Sequence, residues 1–174
     1  AVAFFMGTLM ELPSGALADL IGRKASIIIG WFVTAVSHIL LGLSFNSFYY
    51  ILWSLLGGLG GAFISGADTA LIYDSLKQDG REKEFAVIQS KAMIFYRMGI
   101  IIATFTGGFI YKMDNRLPYI LMGLFELVGM LFLFLLKEPN IDSIKFTWNG
   151  YVQTMIDGIR QFTKSSHNKL LAIY

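Results

Sequence analysis

Long apolar runs alternate with short polar junctions along this chain. A helix needs roughly 20 apolar residues to cross the hydrocarbon of a bilayer. Four stretches meet that requirement: 25–43, 46–67, 92–111 and 117–136. The second keeps its apolar character as far as Leu76, with Asp68 and Asp74 embedded in it. A fifth run, 1–19, carries Glu11 and Pro13 and reads as a span truncated at its start. Apolar residues surround each run on all sides instead of forming one stripe, which separates these segments from the surface helices of a soluble protein. The pattern predicts an all-α fold, a polytopic transmembrane helical bundle.

After Leu136 the pattern changes. "KEPNIDSIKF" is a polar linker containing Pro139. Beyond it Trp148, Tyr151, Met155, Ile159 and Phe162 recur at helical spacing, with Asn149, Gln153, Asp157, Arg160 and Lys164 on the other face. This is an amphipathic helix that lies in the membrane interface or packs on protein. "HNKLLAIY" then opens like another apolar helix. The expected organisation is a transmembrane bundle over 1–137, a cytoplasmic linker over 138–167, and the start of a further span at 168–174. Both ends read as cut, so the chain is expected to be a fragment of a longer membrane protein.

The connections assign the sides. Arg23, Lys24, Lys77, Arg81, Lys83, Lys91 and Lys137 flank one side, and only Lys112 and Arg116 the other. The positive-inside rule makes the basic side cytoplasmic. Phe45, Phe48, Tyr49, Tyr50 and Trp53 fit an aromatic belt at the opposite interface.

Composition narrows the function classes. The chain is 55% hydrophobic with a mean hydropathy of +0.61, too apolar for an ordinary soluble domain. A net charge of +2, clustered at junctions, argues against nucleic-acid binding. With no cysteine, thiolate chemistry, disulfides and cysteine metal sites are excluded. His38 and His167 have no metal-ligand spacing around them. No metal or cofactor is expected.

One junction stands out: "GALADLIGRK", residues 15–24. Gly15, Asp19 and Arg23 recur every four residues and share a face if the helix runs through them. Gly15 admits a close backbone neighbour, and Gly22 supplies the positive φ that ends a helix. Asp19 then lies at a helix C-terminus, where the dipole disfavours an anion. Such a carboxylate needs an external partner, and Arg23 has the planar fork to bridge acids. The junction reads as an electrostatic latch at the membrane surface.

Gly15, Leu17, Asp19, Gly22, Arg23 and Lys24 resemble the loop signature between helices 2 and 3 of the major facilitator superfamily. The preceding "ELPSGALAD" resembles its drug:proton antiporter-like branch. The resemblance implies that the visible spans are helices 2 to 6 plus the start of 7. It also implies that the loop holds one transport state by pairing with the other half-bundle. An acid at the cytoplasmic end of helix 4 pairs with the loop arginine in that family, and Asp74 stands there. Helix 5 often carries a Gly-x-x-x-Gly-Pro-x-x-Gly-Gly stretch. Here Gly99, Ala103, Thr104, Gly107 and Gly108 keep the small-residue seam but replace its second glycine and its proline. The arginine usual before the helix-4 Gly-x-Gly is Ser54 here, ahead of Gly58 and Gly60.

Charges inside spans cost about 2.5–3.5 kcal/mol each on insertion scales, so each needs a reason. Asp68 and Arg97 lie equally far from the middle of the Lys77–Lys91 connection, which puts them at similar depth and facing each other. They form either a switchable pair on the substrate path or a purely structural one. Glu126 has no sequence-local partner and is a protonation or cation-attracting candidate, or else a neutral hydrogen-bonded carboxyl. His38 reads as a packed polar residue. Gly57, Gly58, Gly60 and Gly61 lack the Lys-Ser/Thr of a phosphate loop and read as a helix-packing seam.

These features imply a secondary transporter that works by alternating access, with a proton gradient as energy source. The resemblance favours proton-coupled efflux of amphipathic small molecules or drugs, with uptake of a sugar, peptide or metabolite as the alternative. Expected partners are the lipid bilayer, a small-molecule substrate, protons and a C-terminal half-bundle, in a bacterial inner membrane. An intramembrane aspartyl enzyme is disfavoured, because Asp68 and Asp74 sit on one helix pointing in different directions. A non-transporting scaffold would need neither the latch nor the mid-span charges.

Overall fold

The computed structural model describes residues 2–139 together with Val152 and Ile156. Those residues are helical almost throughout: α1 Val2–Ile21, α2 Arg23–Gly42, α3 Ser47–Ile64, α4 Ala67–Gln78, α5 Phe85–Met113 and α6 Leu117–Leu133. A single 3₁₀ turn, Glu82–Glu84, precedes α5. The expected linker helix and further span lie outside the described residues, apart from Val152 and Ile156, which are helical and exposed.

Three helical stretches among the described residues are long and apolar enough to cross a membrane: Arg23–Gly42, Ser47–Gln78 and Glu82–Met113. Leu117–Leu133 is a shorter apolar helix. At 1.5 Å per residue, the 29 residues of α5 extend about 44 Å, longer than the hydrocarbon core. The expected span 92–111 is therefore the middle of a helix that starts earlier, at Phe85.

The run expected to continue from 46 through Leu76 is two helices. Gly66 has φ +77° and caps α4, so the chain turns between Ile64 and Ala67. That left-handed backbone is accessible to glycine and strained for other residues. A helix broken inside a span is tolerated where neighbouring groups satisfy the freed backbone. Here the hydroxyl of Ser26 donates to the carbonyl of Phe63, and that of Ser14 to Ala62.

Helix α2 is the hub. It packs against α3 and α6 and also touches α1 and α4. Helix approach in a bilayer favours small residues, since lipid is as apolar as leucine. Accordingly, a Cβ on Gly30 would lie 2.7 Å from the carbonyl oxygen of Gly60, and one on Gly60 2.8 Å from that of Gly30. Gly58 packs on the backbone of Ala3, and Gly123 on that of Ala35. The seam expected at Gly58 and Gly60 is thus a real line of contact. Ala18, Ile27, Ala67 and Leu71 form a small buried core, flanked by Trp31 and Leu133.

Helix α5 stands apart. Among the described residues, none of its own is buried, and its main contacts are with α4, α6 and the 3₁₀ turn. No described atom comes within 4 Å of a Cβ built on Gly99, Gly107 or Gly108, and Ala103 is exposed. The seam expected on this helix has no partner among the described residues. The reason is tertiary: small residues become a seam only where another helix reaches them.

Candidate functional site

The basic loop is built from three helix ends. Helix α1 stops at Ile21, and Gly22 adopts φ +96° to start α2. Asp19 and Arg23 therefore belong to different helices and do not share a continuous face. Gly15 is exposed, with no described atom within 4 Å of a Cβ placed there. Asp19 lies in the last turn of α1, but its side chain, and with it the expected pairing, is outside the described residues.

Arg23 and Lys24 begin α2, the positive end of a helix dipole, where cations are disfavoured. Three contacts offset this. Arg23 Nη1 lies 2.6 Å from Asp74 Oδ2, joining α2 to α4. Asp74 is only 8% exposed and sits near the C-terminus of its helix, so the guanidinium supplies the partner that burial demands. The Lys24 ammonium donates to the carbonyls of Phe134, at 3.1 Å, and Leu136, just past the end of α6. In the opposite sense, the Glu138 carboxylate accepts from the backbone N–H of Arg23 at 2.8 Å and of Lys24 at 2.9 Å. Gly22 offers no side-chain cap of its own, so Glu138 satisfies amides that would otherwise be orphaned.

Sequence reading missed Glu138. The available signal was a glycine N-cap with no acceptor, together with a carboxylate two residues past the last expected span. Nothing in the linear order connects positions 22 and 138.

The mid-span charges are arranged differently from expectation. Asp68 and Arg97 are both exposed, and among the described residues they do not pair with each other. Asp68 lies in the first turn of α4, and its Oδ1 accepts from the backbone N–H of Thr69 at 2.6 Å and from its hydroxyl at 3.2 Å. The break at Gly66 makes Asp68 a helix-start residue, where an anion is favoured by the dipole. Helix α5 stays too peripheral to bring Arg97 to it. Glu126, expected without a partner, has one: its Oε2 lies 2.8 Å from His38 Nδ1 across the α2–α6 contact. His38 is therefore more than a packed polar residue. Among the described residues, the remaining ion pair is Arg81–Glu84, an exposed fork that closes the turn before α5.

At the end of the bundle opposite Arg23 lies a cavity of about 490 Å³, lined in part by Gly42, Phe45, Tyr50, Asn115, Arg116 and Tyr119. Tyr50 and Tyr119 place their hydroxyls 3.3 Å apart across it. Tyr49 stacks on Trp53 and meets Phe48 edge-on, so the aromatic belt packs on itself. No group of His, Asp or Glu side chains among the described residues is placed to hold a metal ion.

A family model described as Major Facilitator Superfamily matches residues 1–168. Multidrug resistance protein 2 of Bacillus subtilis (strain 168) is 30% identical over 138 residues, covering 78% of this chain and 34% of that protein. Multidrug resistance protein 1 of the same strain is 31% identical over 128 residues, covering 73% of this chain and 32% of that protein. Quinolone resistance protein NorA of Staphylococcus aureus (strain Mu50 / ATCC 700699) is 24% identical over 151 residues, covering 86% and 37%. The chain spans about a third of the length of these curated relatives. No solved structure matches it.

Proposed function

Since the chain belongs to the major facilitator superfamily, a multi-pass membrane family of transporters, we propose that it is part of a proton-coupled exporter of amphipathic small molecules. The observation that carries this reading is the match along residues 1–168, with relatives named for multidrug and quinolone resistance. Transport needs no bound cofactor here. A proton gradient supplies the energy, and the protein resides in a bacterial inner membrane.

The mechanism is alternating access between this bundle and a second one, with substrate held between them. Gly15, Asp19, Gly22, Arg23, Lys24 and Asp74 act as the conformational latch. The Arg23–Asp74 contact ties the start of α2 to the end of α4 within the bundle. Asp19 joins this latch through the loop signature of the family, which pairs with the partner half-bundle. Asp68, Arg97 and Glu126 are the charges of the proton and substrate pathway. The break at Gly66 supports this placement for Asp68, because interrupted spans are where transporters present free helix ends to substrate.

The test uses the full-length protein in liposomes holding a pH-sensitive dye, under an imposed proton gradient. Lipophilic cations should trigger proton flux, and Asp68→Asn should reduce it at least about tenfold, as expected for loss of a coupling carboxylate. Flux with a sugar, peptide or metabolite alone would replace export by uptake. Unchanged coupling in Asp68→Asn and Glu126→Gln would remove both residues from the pathway.

A further inference from the structure

His38 and Glu126 meet where two spans are held at fixed distance. On α6, Gly123 rests against the backbone of Ala35 and the side chain of Ile39, and Gly129 rests against Trp31. Glu126 lies between these two glycine contacts, and His38 lies opposite it. Glycine packing on either side fixes the helix spacing, so the 2.8 Å approach is built into the seam.

An imidazole and a carboxylate at this distance have three proton counts. With one shared proton the pair is neutral, whichever group carries it. With none it is −1, and with two it is +1. A net charge inside a span is costly, so one proton is the resting count. The side chains are not sealed, at 21% and 19% exposed. His38 lies one turn before Gly42, the last residue of α2, and Gly42 lines the cavity at the end opposite Arg23. Tyr119, two turns before Glu126 on α6, lines the same cavity. Water entering there comes within a turn of the pair.

We infer that His38 and Glu126 together form a proton-binding site that takes up one reversible proton beyond the one they share at rest. The proton comes from hydronium and leaves water behind, and the charge of the pair goes from zero to +1. Both the ring nitrogen and the carboxyl then carry hydrogens. With the shared proton on the imidazole at rest, the acceptor changes from a carboxylate to a neutral carboxyl while the donor stays charged, which weakens the α2–α6 tie.

On the elements around the pair, Tyr49 of α3 and Tyr73 and Lys77 of α4 are exposed. On α3, Tyr50 faces Tyr119 of α6. On α4, Asp68 is held by Thr69 and Asp74 by Arg23. On α5, Lys91, Tyr96, Arg97, Tyr111 and Lys112 are exposed, and Tyr111 and the α6-capping Arg116 line the cavity. On α1 the side chains of Glu11 and Asp19 are outside the described residues. None of the described groups bonds to His38 or Glu126. The site deepens the proposed function, in which Glu126 already belongs to the proton pathway, and rests on that reading for its role in transport though not for the contact itself.

The experiment is infrared difference spectroscopy of the full-length protein in liposomes, titrated from about pH 4 to about pH 9. A carboxyl C=O band should grow as the pH falls and be absent in Glu126→Gln. In His38→Gln the band should move along the pH axis by at least about one unit, the mark of a coupled pair. The exchanged double variant His38→Glu/Glu126→His rebuilds the pair from opposite helices and should restore the original titration. It also answers the question if His38→Gln alone fails to fold. A Glu126 band with the same pH dependence with and without His38, or no such band across the range, would overturn the site.

Discussion

Arg23 shows how one side chain gains weight from its surroundings. Its side chain is 29% exposed, while the side chain of Asp74 that it meets is 11% exposed. Removing the cation strands an anion that has little water, whereas removing the anion leaves a cation that solvent still reaches. Arg23→Gln should therefore cost about 2–4 kcal/mol. Asp74→Asn, which keeps a hydrogen-bonding group in place, should cost less than about 1.5 kcal/mol. Denaturant unfolding of the purified full-length protein in detergent measures both. Equal costs would mean that Asp74 is better solvated than its burial indicates.

At the scale of helices, association here rests on backbone approach. Gly60 and Gly61 are neighbours in sequence with opposite surroundings. A Cβ on Gly60 meets the Gly30 carbonyl at 2.8 Å and the Thr34 methyl at 2.7 Å, while one on Gly61 meets nothing within 4 Å. Gly60→Ala should destabilise by about 1–3 kcal/mol, since backbone atoms cannot step aside. Gly61→Ala should be neutral or gain up to about 1 kcal/mol from helix propensity. Thermal aggregation of the two variants in detergent gives the comparison, and a matching loss in both would show that Gly61 also faces a neighbour in the full-length protein.

Across the whole bundle, the ends of α2 and α6 are tied by a reciprocal exchange. Lys24 binds carbonyls at the end of α6, and Glu138 binds amides at the start of α2. The two side chains do not bond each other; each one bonds backbone. Glu138→Ala should cost about 1 kcal/mol, the worth of a helix N-cap. The charge-reversed double variant Lys24→Glu/Glu138→Lys should fail to recover it. A simple ion pair would be rescued by reversal, so recovery measured in the same unfolding assay would refute the exchange. Because Glu138 lies just past α6, this tie also anchors the end of the described bundle.

Much of the molecule was written in linear order. Hydrophobic run length located the apolar helices, though not their breaks or ends, because a bilayer demands about 20 apolar residues whatever they touch. The loop signature carried the family, and Gly22 disclosed its turn through the one residue type suited to positive φ. The Arg23–Asp74 contact was legible through the family resemblance, which pairs the loop arginine with an acid at that end of the fourth helix. Other features required the fold. The break at Gly66 was hidden, since a glycine within an apolar run looks the same whether it packs or turns. The separation of Asp68 from Arg97, the meeting of His38 with Glu126 and the cap from Glu138 join or part residues between 29 and 115 positions apart. Sequence sets what each side chain can do, because chemistry is local. Which groups meet depends on how glycine contacts rotate and space the helices, and that is settled only when the bundle packs.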